Sequence, residues 1–124
     1  MDLTHFDQDG NAWMVDVSDK DITSRTAVAE GFIAINDAIY ERIAAGTMKK
    51  GDVLSVAQLA AIMGAKQTSN LIPLCHPLAL TKVEVHCTLV DGESPACTDE
   101  NHNKAVKVRA IVKTTGKTGV EMEA

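Results

Sequence analysis

Aromatic residues are almost missing from this sequence: one Trp, one Tyr and two Phe among 124 residues. The core therefore has to be assembled from Val, Ile, Leu, Ala and Met, in a chain long enough for one small domain and not for two independent ones. Such a small domain often gains core by oligomerising. Cysteine is scarce as well. Cys75, Cys87 and Cys97 are odd in number and lack the paired short spacings of a zinc site, which indicates neither a disulfide scaffold nor a metal cluster. The cytoplasm is the expected compartment. No apolar run approaches the roughly 20 residues needed to cross a bilayer, and the polar, acidic start from Met1 to Gly10 reads as no targeting signal. Positive charge is in the minority, 12 Lys and Arg against 17 Asp and Glu, for a formal net charge of −5. Long-range attraction to nucleic acid or an anionic membrane is not expected, so neither is a predicted partner, and an anion would have to be held by locally gathered cations. What is present, 45% hydrophobic and 23% charged residues, excludes a disordered or fibrous chain.

Ala12 to Val17 alternates like a short, edge-type strand. From about Arg25 to Ala45, Val28, Phe32, Ile35, Ile39 and Ile43 recur as one helical stripe, with Ser24 a plausible cap and Gly46 a plausible stop. A second helix is expected from about Val53 to Lys66, with Val56, Leu59, Ile62 and Met63 facing inward and Asp52 near its start. Pro73 and Pro77 then force Asn70 to Pro77 out of helix, leaving an apolar loop. Thr81 to Val90 and Ala105 to Thr115 alternate with period two. Val83, Val85, Cys87 and Leu89 face the same way on one strand, and Val106, Val108, Ala110 and Val112 on the other. Asp91 to Lys104 reads as a long exposed connection between them. Helices on one face of an antiparallel sheet make an α+β sandwich.

Chemistry-bearing residues are densest from Lys66 to Lys82. His76 suits acid or base work because imidazole titrates near neutrality and Pro77 restrains its backbone, although a buried, satisfied imidazole beside core leucines is the plainer alternative. Cys75 reads as structural. Lys49 and Lys50, just before the second helix, either hold phosphate oxygens or form a solvated turn. Arg25 is either a guanidinium clamp for phosphate or an ordinary surface arginine. Asp16, Glu121 and Glu123 are carboxylates at element ends, where a base or a partner for lysine could sit. Thr114 to Gly119 only superficially suggests a phosphate loop, because Gly116 directly precedes Lys117.

Read together, Met14-Val-Asp-Val-Ser18 with Lys20 and Arg25, Lys50-Gly-Asp-Val53, Ala65-Lys66, Leu71-Ile-Pro-Leu-Cys-His-Pro-Leu78 and Thr115-Gly-Lys-Thr-Gly-Val-Glu-Met-Glu-Ala124 resemble the protein C family of molybdenum cofactor biosynthesis, the cyclic pyranopterin monophosphate synthases. The octet and the closing run carry the most specificity, and the resemblance runs from Trp13 to Ala124. It implies a ferredoxin-like α+β fold assembled as a homo-hexamer, a trimer of dimers, and a lyase reaction with no cofactor or metal. The substrate would be 3′,8-cyclo-7,8-dihydroguanosine 5′-triphosphate, supplied by an upstream radical enzyme, and the products cyclic pyranopterin monophosphate and pyrophosphate. By the same resemblance, Leu74, Cys75, His76, Met122 and Glu123 line the substrate site and Arg25, Lys50 and Lys66 contact the triphosphate and base. His76, Lys66, Glu121 and Glu123 would then be the proton-transfer groups.

The family also implies a further apolar helix ending in Asp-Met-Cys-Lys, a last strand and a glycine-rich tail, with that Asp and Lys as its central pair. These are not among the 124 residues. The expectation is thus a tail over residues 1–11 and one domain over 12–124 that lacks the family's C-terminal helix and strand. The alternative function is a non-catalytic module that binds a phosphorylated pterin precursor or assists assembly.

Overall fold

The structure, a computed structural model, describes residues 8–46, 52–92 and 103–124. Among these residues β1 (Thr23–Ile35), β2 (Leu80–Asp91) and β3 (Lys104–Gly116) form an antiparallel sheet in the order β1-β3-β2. The central strand carries the driest positions, since Ala105 and Val112 are fully buried. Register sets one core-facing surface. Val112 lies between Val83 and Ala27, Ala110 between Val85 and Ala29, and Val108 between Cys87 and Gly31. The expected facing of Val83, Val85, Cys87 and Leu89 with Val106, Val108 and Ala110 is what the core cluster contains.

Three helices follow the first strand: α1 (Asp37–Ala45), α2 (Val53–Lys66) and the single turn α3 (Thr68–Leu71). α2 starts where Asp52 accepts from the backbone N–H groups of Leu54 and Ser55, and it lays Leu54, Ala57, Ala61 and Ile62 against the core. α1 is held to β3 at its first turn, where Lys104 pairs with Asp37 at 3.2 Å and lies over the Tyr40 ring. The result is an α+β fold with helices on one face of an antiparallel sheet, consistent with a ferredoxin-like arrangement. The other face is charged: Glu30 meets Lys107 at 3.3 Å, and Glu84 meets Lys82 at 3.2 Å and His86 at 3.4 Å.

Four sequence expectations are corrected. Of Val56, Leu59, Ile62 and Met63, expected inward on α2, only Ile62 packs on the core; the other three are more than half exposed, because the side turned to the sheet is the one that carries Leu54, Ala57 and Ala61. The helix over Arg25 to Ala45 is a strand followed by a helix, so Asn36 rather than Ser24 is the cap. Thirteen residues of β1 pair with β3, a ladder that a helix could not have made. Ala12 to Val17 is no regular strand, because only Ala12 makes a bridge and the segment turns at Val17, where Lys20 N–H bonds the Val17 carbonyl at 3.0 Å. Asn70 and Leu71 still belong to α3, so the apolar loop begins at Ile72. The hairpin connection from Asp91 to Lys104 lies largely outside the described residues.

Candidate functional site

The loop from Ile72 to Ala79 has no helical or strand ladder to satisfy its backbone, and its anchor comes from the sheet. Thr114 on β3 is 1% exposed and its hydroxyl donates to the Ala79 carbonyl at 2.7 Å. On the other side α2 ends at Lys66, and Thr68 returns its hydroxyl to the Ala65 carbonyl at 2.9 Å, which tightens the turn into α3. Between these anchors a narrow crevice is lined by Lys66, Thr68, Ser69, His76, Leu78 and Glu123.

Glu123 reaches the crevice because the last residues wind into one α-type turn, with Ala124 N–H bonded to the Val120 carbonyl at 3.0 Å. Positions three apart share the inner side of such a turn. Val120 and Glu123 are accordingly 1% and 7% exposed, while Glu121 and Met122 point outward. The Cys75 thiol donates to Glu123 Oε1 at 3.4 Å. Burial first, and then the carboxylate beside it, push this thiol up to about 11, so it is a proton donor and not a thiolate nucleophile. Glu123 Oε2 is buried without a partner. A buried carboxylate oxygen of this kind is an acceptor for an N–H or ammonium donor.

His76 Nε2 lies 2.6 Å from the Val15 carbonyl, so the N-terminal segment crosses the loop. Two further bonds shape that segment. Asp16 accepts from Ser18 N–H at 2.9 Å, and Lys117 Nζ donates to the Ser18 carbonyl at 3.0 Å. The Ser18 hydrogen bonds, reinforced by the charges of His76 and Lys117, hold the Asp16 carboxyl below the usual carboxylate range.

The structure thus brings Lys66, Cys75, His76 and Glu123 together. Leu74 is half-buried in the same loop. It does not bring in Met122, which is 57% exposed, or Glu121, whose carboxylate folds over Gly119. Arg25 sits half-buried on the helix-covered side of β1 opposite Thr114, with its Nε buried and unpartnered, but it does not line the crevice. Lys50 lies outside the described residues. Among the described residues no group of three or more His, Cys, Asp or Glu side chains is placed to hold a metal ion, and no helix is long and apolar enough to cross a membrane. Sequence reasoning named Thr114 only as the start of a run resembling a phosphate loop, not as the anchor of the apolar loop, and missed Thr68 and the Val15 carbonyl. A hydroxyl inside an alternating strand was the available signal for Thr114, and a main-chain carbonyl gives none.

Comparison with known proteins places this arrangement. The model of the MoaC family matches residues 14–124. The chain belongs to the MoaC family. Curated relatives named cyclic pyranopterin monophosphate synthase include one from Staphylococcus aureus, 50% identical over 123 residues that make up 99% of this chain and 71% of the relative. Another, from Halalkalibacterium halodurans, is 50% identical over 99% of this chain and 70% of its own length. The MoaC match takes in the end of α2, the apolar loop and the closing turn, the three segments that line the crevice.

Proposed function

We propose that this MoaC-family chain acts in molybdenum cofactor biosynthesis as a cyclic pyranopterin monophosphate synthase, a cytoplasmic lyase. It would convert 3′,8-cyclo-7,8-dihydroguanosine 5′-triphosphate, delivered by an upstream radical enzyme, to cyclic pyranopterin monophosphate and pyrophosphate. The observation that carries the reading is the convergence of Lys66, His76 and Glu123 on one crevice from three separate segments. The buried Glu123 oxygen suits the N–H donors of a guanine-derived ring.

In the ring-closing step a ribose hydroxyl oxygen bonds to the α-phosphorus and the bond to the leaving pyrophosphate breaks. Negative charge grows on the departing oxygens, and Lys66 at the crevice is a cation suited to stabilise it; Lys50 and Arg25 are the further cations that the family resemblance assigns to the triphosphate. Rebuilding the purine-derived ring needs protons moved one at a time, which suits His76 with Glu123 as the crevice carboxylate, and Glu121 as a further carboxylate on the closing turn. The assembly the family resemblance implies is a homo-hexamer, a trimer of dimers, and apolar side chains left exposed on α2 offer a surface for contact between copies: Val56 at 57%, Leu59 at 60% and Met63 at 60%. Residues 12–124 are read as belonging to one domain.

Pyrophosphate release from the cyclised triphosphate tests the reading, measured for this chain and for a version carrying the family's C-terminal helix and strand. His76→Ala should lower kcat by about 10²- to 10⁴-fold while the fold is kept, and Lys66→Ala should also cost turnover. Lys50→Ala should mainly raise KM. Substrate binding without pyrophosphate release in either version would reduce the protein to a binding module.

A further inference from the structure

The two nitrogens of His76 are not equivalent. Nε2 lies 2.6 Å from the carbonyl oxygen of Val15, and that oxygen has no hydrogen to give. A contact this short between two acceptors would be repulsive, so Nε2 must carry the hydrogen. In a neutral imidazole the lone pair then resides on Nδ1. We propose that the Val15 carbonyl is a positioning group that locks neutral His76 as its Nε2–H tautomer, making Nδ1 the atom that takes up and returns protons in the crevice.

The bond is made by a strap that is itself fastened. Val15 and Val17 are half-buried, Lys117 grips the Ser18 carbonyl at 3.0 Å, and Asp16 closes a local turn on Ser18 N–H at 2.9 Å. Lys117 belongs to the segment that follows β3 and leads to the turn bearing Glu123, so strap, imidazole and carboxylate share one set of anchors. The charged and titratable groups about the ring are Asp16 and Lys117 on the strap side and Lys66, Cys75 and Glu123 on the crevice side. Because Nε2–H donates to Val15 in both the neutral and the protonated ring, a proton can come and go at Nδ1 without the imidazole turning over.

The inference rests on His76 as the site's proton carrier, yet its test is separate from turnover. Long-range proton–nitrogen correlation spectra of the histidine-labelled chain, without substrate, should show His76 as a single Nε2–H tautomer once neutral. Its Nε2 proton should be visible and protected from solvent exchange. His86, whose side chain is 55% exposed and whose Nε2 meets Glu84 at the surface, is the internal control for exchange and should show no protection. Lys117→Met loosens the strap and should speed Nε2 proton exchange at His76; with substrate it should lower kcat more than it changes KM. An Nδ1–H tautomer, or a His76 proton that exchanges as fast as that of His86, would overturn the assignment. Should Lys117→Met fail to fold, the unmodified chain's spectrum alone decides.

Discussion

Cys75 meets Glu123 through one carboxylate oxygen, and the other is buried without a partner. The thiol's rise from an ordinary value of 9.0 to about 11 comes from burial first and from Glu123 second. Folding therefore favours the protonated thiol, so the stability this contributes is complete below pH 9 and is lost as pH climbs towards 11. Site-resolved alkylation should find Cys75 slow at pH 9 and accelerating towards 11. Glu123→Gln removes the negative neighbour and should move the onset to lower pH; superimposable profiles would mean the contact is not made in solution. Thr114 is a second single-residue test. Thr114→Val keeps the shape but orphans the Ala79 carbonyl, for a loss of about 1–3 kcal/mol in urea unfolding. An unchanged midpoint would show that water satisfies that carbonyl. At this scale the sequence was informative where a side chain has its own chemistry: two prolines and an imidazole in an apolar run marked the loop, and the closing run marked Glu123. It was silent on Val15, because every residue presents the same main-chain carbonyl, and only tertiary contact selects one.

The stretch from Arg25 to Ala45 shows how an element can be misread while its neighbours are not. Val28, Phe32, Ile35, Ile39 and Ile43 fit a helical stripe, but the first three lie on a strand and the last two on a helix, so the spacing is shared between two periods. Two local signals opposed a single helix. Gly31 would cost about 1 kcal/mol relative to Ala in a helix interior. Asn36 is a strong N-cap residue placed just before Asp37. Their combined weight was real, yet pairing with β3 is what decides for strand, and that partner lies about 70 residues further on. The strands β2 and β3 were legible because apolar residues alternate along each, although Ala105 is buried on the face opposite Val106. The cap now assigned is testable. Asn36 accepts the Ile39 N–H at 2.8 Å, so Asn36→Ala should destabilise by about 1 kcal/mol in urea or thermal unfolding, whereas Asn36→Asp should stay close to the parent. Equal losses in the two variants would point to a role other than capping.

For the molecule as a whole, α2 poses the question of what its second apolar side meets. A helix that packs on one sheet needs one apolar stripe, and α2 spends Leu54, Ala57, Ala61 and Ile62 on it. Val56, Leu59 and Met63 form another, spaced three and four apart, and remain more than half exposed. Leu71, 72% exposed at the end of α3, adds to the apolar surface beyond α2. Burying a side chain of this size stabilises by about 1.5–3 kcal/mol, so several such contacts repeated by symmetry are enough to hold subunits together. The charged outer face of the sheet is a poorer candidate for such an interface, since Glu30, Lys107, Glu84 and Lys82 already pair in solvent and would have to be desolvated. If the proposed hexamer uses the α2 stripe, Leu59→Lys should lower the sedimentation coefficient to that of a smaller assembly while the circular dichroism of the subunit is kept. Lys107→Ala, on the charged face, should leave the assembly intact. Dissociation by Lys107→Ala and not by Leu59→Lys would move the interface to the sheet and leave the α2 stripe without a role in assembly.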